Sequence, residues 1–175
     1  MPADPLPSQL VHGPYDVARR ASQPLPPTTT FTGVNGPSSA LGRRAQQVFE
    51  VLDLDTAVAL GSGSVPVLST PRLLAWMEAV TVAALDPAVA VHDVSVGIHV
   101  HLDHLRPSAV GAKVSVEAVV SAVDGPRVDC DVEARDGEGA LVGRGRITRM
   151  VVDQQRFLDR LGSNPTECGD TDSVR

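Results

Sequence analysis

Residues Thr70 to Leu85, TPRLLAWMEAVTVAAL, are the one stretch of this chain with a sustained helical period, and the rest must be arranged around it. The Thr70 hydroxyl is expected to cap the helix by accepting an orphan backbone N–H. Pro71 suits the first helical position, where its missing N–H costs nothing. Leu74, Met77, Glu78, Thr81 and Leu85 recur at intervals of three or four and form one stripe, while the opposite side carries Ala and Val rather than charge. Such a helix is expected to be buried nearly all round. Glu78 is the anomaly: a carboxylate inside an apolar stripe is costly unless it is paired, protonated or open to a wet site.

The period changes from 3.6 to 2 beyond the helix. Val94, Val96, Ile98, Val100 and Leu102 alternate with Asp93, Ser95, Gly97, His99, His101 and Asp103, which predicts a half-buried strand with the apolar set inward and His104 closing that inner face. Val114 to Ala122 and Val128 to Ala134 alternate in the same way around the turn Asp124-Gly125-Pro126, a hairpin. Ala140 to Val152 forms the last strand, with a bulge or close backbone approach expected at Gly143 and Gly145. Upstream, Arg44 to Leu60 reads as one strand with Val48, Leu52, Leu54, Val58 and Leu60 on a common face. Gly61 to Ser69, GSGSVPVLS, reads as a loop delivering the chain to the helix.

This order predicts an α+β fold in which one antiparallel sheet wraps one long apolar helix, the logic of a hotdog fold. A single helix cannot cover such a sheet completely, so a homodimer joined edge to edge is expected. At 175 residues and 42% hydrophobic content the ordered part is a single domain, placed at residues 44–160. Residues 1–43 carry eight prolines in the first forty positions and no apolar period, and they are expected to be disordered or loosely draped, as is the polar stretch 161–175.

Charge and cysteine usage narrow the function. A net charge of -6, with one lysine against fourteen arginines, argues against a nucleic-acid binder working through a broad basic face. Cys130 and Cys168 make neither a disulfide framework nor a metal knuckle, and no stretch has the length and apolarity of an export signal or a membrane span. A cytoplasmic protein without membrane partners is expected. His99, His101 and Asp103 share a strand face as metal ligands would, but no further ligand accompanies them, so no metal site is expected.

Three residues carry chemistry on the buried sides of adjacent elements: a hydroxyl at Thr70, a carboxylate at Glu78 and an imidazole at His104. The positive end of the helix lies beside the first of them. The runs GSGSVPVLSTPRLLAWMEAV, VGIHVHLDHLRPSAVGAKVSVEAVV and GRGRITRMVVDQQRF resemble the hotdog thioesterases of the fluoroacetyl-CoA thioesterase type, over residues 44 to 157. The resemblance implies that Thr70, Glu78 and His104 form the catalytic set, that Gly97 lies beside the acyl pocket and that Arg149 matches a family arginine near the end of the last strand. The loop Gly61 to Ser69 lacks the phenylalanines of members that select fluoroacetyl groups.

The implied reaction is hydrolysis of a small acyl-CoA thioester. Backbone N–H groups at the helix start and the Thr70 hydroxyl would stabilise the oxyanion. Glu78 would act as nucleophile or as general base, and His104 would polarise the carbonyl or protonate the departing thiolate. Coenzyme A enters as part of the substrate, and no separate cofactor is implied. Arg106, Arg144 and Arg146 are candidates for its phosphates. The reading from a different class is a non-catalytic module that binds acyl-CoA or a small hydrophobe on the same fold.

Overall fold

The computed structural model describes residues 37–162. Five strands, β1 (Arg44–Glu50), β2 (Asp93–His104), β3 (Lys113–Asp124), β4 (Arg127–Asp136) and β5 (Leu141–Asp153), form one antiparallel sheet in the spatial order β1-β3-β4-β5-β2. A helix α1 (Thr70–Leu85) packs on β1 to β4, and a short helix α2 (Gln154–Gly162) follows β5. This is the expected α+β arrangement of one antiparallel sheet against one long helix.

The core is the interface between α1 and the sheet. Leu73, Met77 and Val80 meet Val114, Val116, Val132 and Ile147, and Trp76 stacks on Phe49 of β1 with ring centroids 4.8 Å apart. A second cluster at the far end of the helix gathers Ala84, Leu85, Val120, Val128 and Cys130, whose thiol burial pushes up to about 11. In β3 and β4 the inward set is Val114, Val116, Ala118 and Val120 with Val128, Cys130, Val132 and Ala134, as the alternation predicts.

Four expectations change. The capping residue of α1 is Ser69, whose Oγ accepts the Arg72 N–H at 3.2 Å, so Thr70 and Pro71 each sit one position further into the helix than expected. The buried stripe is Leu73, Trp76, Met77, Val80, Thr81, Ala84 and Leu85; Leu74 and Glu78 lie on its flank, and Ala75, Ala79 and Ala83 are exposed. The helix is therefore buried on one broad face rather than all round.

The stretch Arg44 to Leu60 is also not one strand. β1 ends at Glu50, and a 3₁₀ turn at Asp53–Asp55 follows because the Asp55 carboxylate accepts the Leu52 N–H at 2.9 Å, a local bond that competes with a strand ladder. Phe49 and Val51 point into the core, whereas Val48, Leu52, Leu54 and Val58 are exposed.

The third change lies in β2. Its pairing with β5 shifts register between Gly97 and His99, so Ile98 is an extra residue and the facing reverses there. Before the bulge Ser95 and Gly97 face the helix, not Val94 and Val96; after it Leu102 and His104 do. The close approach expected in β5 is present: a Cβ at Gly145 would collide with the His101 carbonyl oxygen, and one at Gly143 would crowd Leu73 and the Asp103 carbonyl.

The fourth concerns the ends. Pro37–Ala40 form a 3₁₀ turn with Ala40 fully buried, and the Gly42 N–H donates to Val120 O at 3.0 Å, so Ala40 and Gly42 tie this segment to the domain while its other side chains stay largely exposed. At the other end α2 runs to Gly162, past the expected boundary at 160. The expectations for residues 1–36 and 163–175 lie outside the described residues. No helix among the described residues is long and apolar enough to cross a membrane.

Candidate active site

The start of α1 is held in place by a buried ion pair. The Asp55 side chain is 0% exposed and lies 2.8 Å from Arg72 Nε, while the Asp55 carbonyl accepts the Ser69 N–H at 2.9 Å. These bonds join the turn after β1 to the first turn of the helix. They fix Thr70 opposite the end of β2, where its Oγ1 lies 3.0 Å from His104 Nδ1.

His104 is partly buried. Desolvation pulls its imidazole below the ordinary value of 6.5, and the backbone at Arg106 opposes this more weakly. Its charged form is therefore disfavoured. Its Nε2 atom is buried and lacks a hydrogen-bond partner among the described residues, a costly state for a polar atom unless something else engages it. The expected set of helix-start donors is narrower than the sequence suggests. Pro71 has no N–H and that of Arg72 is taken by Ser69, which leaves the Thr70 N–H and hydroxyl to face an oxyanion.

Glu78 sits eight residues further along α1, about 12 Å along the helix axis. Its side chain is 39% exposed and its Oε1 lies 3.8 Å from Nη1 of Arg149, so it is both paired and open to solvent. Arg149 is 5% exposed. It donates from Nε to Ser95 Oγ (3.0 Å), from Nη2 to Ser95 O (2.7 Å) and from Nη1 to Thr81 Oγ1 (3.3 Å). Thr81 in turn donates to the Glu78 carbonyl at 2.7 Å. Burial lowers the guanidinium from its usual value, and the carboxylates of Glu78 and Asp86 work against that. Gly97 completes the cluster, since a Cβ there would strike Glu78 Oε1.

Thr70 and His104 thus make one cluster, and Glu78, Gly97 and Arg149 make a second, two helical turns away. Ser95, Thr81, Asp55 and Arg72 were missed by sequence reasoning. The one signal for Ser95 and Thr81 was that a carboxylate on an apolar helix needs a cation nearby, and a buried cation needs neutral acceptors.

A cavity of about 350 Å³ opens beside Thr70 and His104, bounded by the loop before α1 and by Leu105, Arg106 and Pro107. Arg106 lines its rim. Arg144 and Arg146 are committed elsewhere: they pair with Asp103 (3.6 Å) and Asp131 (2.8 Å) on the sheet face turned away from the helix. Asp103, one of the three residues weighed as metal ligands, is held in that ladder.

Known structures share the fold. A hot-dog-like protein from Thermanaerovibrio acidaminovorans is 29% identical, with a TM-score of 0.65 over 70% of this chain and 90% of its own. A mutant of the fluoroacetyl-CoA-specific thioesterase FlK in complex with fluoroacetate and CoA is 27% identical, with a TM-score of 0.62 over 67% and 98%. A thioesterase superfamily member from Thermus thermophilus, at 23% identity and a TM-score of 0.63 over 71% and 96%, shares the fold. No curated protein sequence matches. The family model for the fluoroacetyl-CoA-specific thioesterase matches residues 51–155, and the chain belongs to that family of hotdog-fold thioesterases.

Proposed function

We propose that the chain hydrolyses a small acyl-CoA thioester to the free acid and coenzyme A, using Thr70, Glu78 and His104. The observation that carries this reading is the Thr70 hydroxyl held 3.0 Å from His104 Nδ1 at the start of α1, on the wall of an open cavity. The thioester carbonyl sits at Thr70, whose hydroxyl and N–H take the developing oxyanion. Glu78 acts as general base toward water. Its carboxylate is engaged by Arg149 and open to solvent, as a base that activates water must be. Water adds to the carbonyl carbon as its proton passes to Glu78; the tetrahedral intermediate then collapses, breaking the C–S bond. His104, through Nδ1, holds the Thr70 hydroxyl against the carbonyl; the CoA thiolate is a good leaving group and departs as the anion, while the proton taken up by Glu78 returns to solvent.

Arg106 borders the cavity and is exposed, so it is the arginine offered to coenzyme A on the cavity's solvent side. The working species is a homodimer: β2 is an edge strand, and its free side exposes Ile98 (51%) and Val100 (37%). A monomeric mass at micromolar concentration with turnover retained would refute that assembly. The reaction itself is tested by scoring free thiol release from a panel of acyl-CoA thioesters. Binding without turnover of any of them would replace the enzyme by a binding module.

A further inference from the structure

Resting on that reading, we infer that the cavity beside Thr70 and His104 is the acyl pocket, and that it takes a saturated aliphatic acyl chain of about four to eight carbons rather than a two-carbon unit.

Volume is the first ground. At about 30 Å³ for each water-sized group, the cavity's 350 Å³ holds roughly a dozen heavy atoms. A fluoroacetyl group has four, counting carbonyl carbon and oxygen, and would leave most of the space to water. The second ground is the wall. The larger part of the wall is apolar, from Ala57, Val65, Val67, Leu68 and Leu105, with serines and the Thr70–His104 pair among the rest, and no Phe, Tyr or Trp lines the cavity to stack on an aryl acyl group.

The third ground is rigidity. The loop is tied at both ends: Ala57 N–H to Val67 O (2.9 Å), Ser62 N–H to Ala57 O (2.9 Å) and Leu68 N–H to Ser108 O (2.8 Å), with the buried Asp55–Arg72 pair beneath. Gly63 packs closely enough that a Cβ would come within 3.3 Å of the Ala57 Cβ. The space is therefore built into the backbone and the small side chains around it, and is not a gap that collapses when empty.

The test uses the full chain with acetyl-, butyryl-, hexanoyl- and octanoyl-CoA, scored by free thiol release, beside the variants Ser64→Phe and Val65→Phe. Both positions lie on the exposed side of the loop, so folding does not depend on them. For the parent, kcat/KM should rise about threefold to tenfold for each two-carbon step up to hexanoyl, the gain expected from burying methylenes in a partly open pocket. In at least one variant the hexanoyl-to-acetyl ratio should fall by about tenfold or more as the ring fills the space. An acetyl optimum in the parent overturns the inference while leaving the thioesterase reading intact. So does an equal loss at every chain length in both variants, which would place the pantetheine arm in the cavity. Failure to cleave any thioester overturns both.

Discussion

Replacing Glu78 by Gln separates catalysis from structure, and the geometry fixes how large each effect should be. The change keeps the shape and an acceptor oxygen but removes the charge facing Arg149. Two unit charges about 4 Å apart interact by about 4 kcal/mol at the effective dielectric of a protein surface, the upper bound for a pair held rigidly. The Glu78 side chain is 39% exposed and the separation is 3.8 Å, so solvent screening brings the loss down to about 1 kcal/mol. Nor is Arg149 stranded, because Ser95 Oγ, Ser95 O and Thr81 Oγ1 remain as acceptors. The variant should therefore melt about 3–6 °C below the parent. Its acyl-CoA turnover should fall by about two or more orders of magnitude, as for a lost general base. Differential scanning calorimetry and free thiol release measure the two effects. A loss of more than about 3 kcal/mol with turnover retained would make Glu78 a structural counter-ion. Unchanged stability with full turnover would refute both roles.

Two glycines should respond oppositely to alanine. Gly97→Ala meets only the mobile end of Glu78, so the melting temperature should hardly move while turnover falls about tenfold or more; Gly145→Ala meets the His101 backbone and should loosen β2 from β5, lowering urea resistance by about 2 kcal/mol or more. Because burial lowers the folded-state value of His104, the unfolded chain binds the extra proton first. Stability should fall as pH drops below 6.5, and His104→Gln should flatten that slope in urea midpoints compared between pH 7.5 and pH 5.5. Arg72→Met leaves the buried Asp55 carboxylate without its cation and should cost about 3 kcal/mol in urea unfolding. A cost below about 1 kcal/mol would show that the pair contributes little to holding the helix start.

What was legible in the sequence followed from where periodicity is a sufficient signal. β3 and β4 carry their inward residues without interruption from Val114 to Val120 and from Val128 to Ala134, so alternation alone gives their faces. α1 was legible as an element but not in its orientation: with alanines on the outside and apolar residues elsewhere, nothing in the sequence separates Leu74 from Leu73. β1 was misread because Val48, Leu52, Leu54 and Val58 alternate as well as the inward pair does, and it is the aromatic partner on α1 that turns Phe49 inward. The Asp55–Arg72 pair spans a loop and follows no period, so it had no local signature.

β2 shows how alternation can mislead at a functional site. Its apolar set runs unbroken from Val94 through Ile98 to Leu102, and nothing in that pattern marks an extra residue. Yet Gly97 and His104 are seven apart, an odd interval, so a regular strand would turn them to opposite faces. The site needs both turned toward α1, one making space for the Glu78 carboxylate and the other holding the Thr70 hydroxyl. One inserted residue, Ile98, reconciles the two requirements. Ahead of it, Ser95 reaches Arg149 with both its hydroxyl and its carbonyl, which offsets the loss of Val94 and Val96 from the inner face. The bulge thus puts both clusters on one surface of one strand. The odd interval between two residues that both had to face the helix was the sign of it, present in the sequence but visible only once function was used to decide the register.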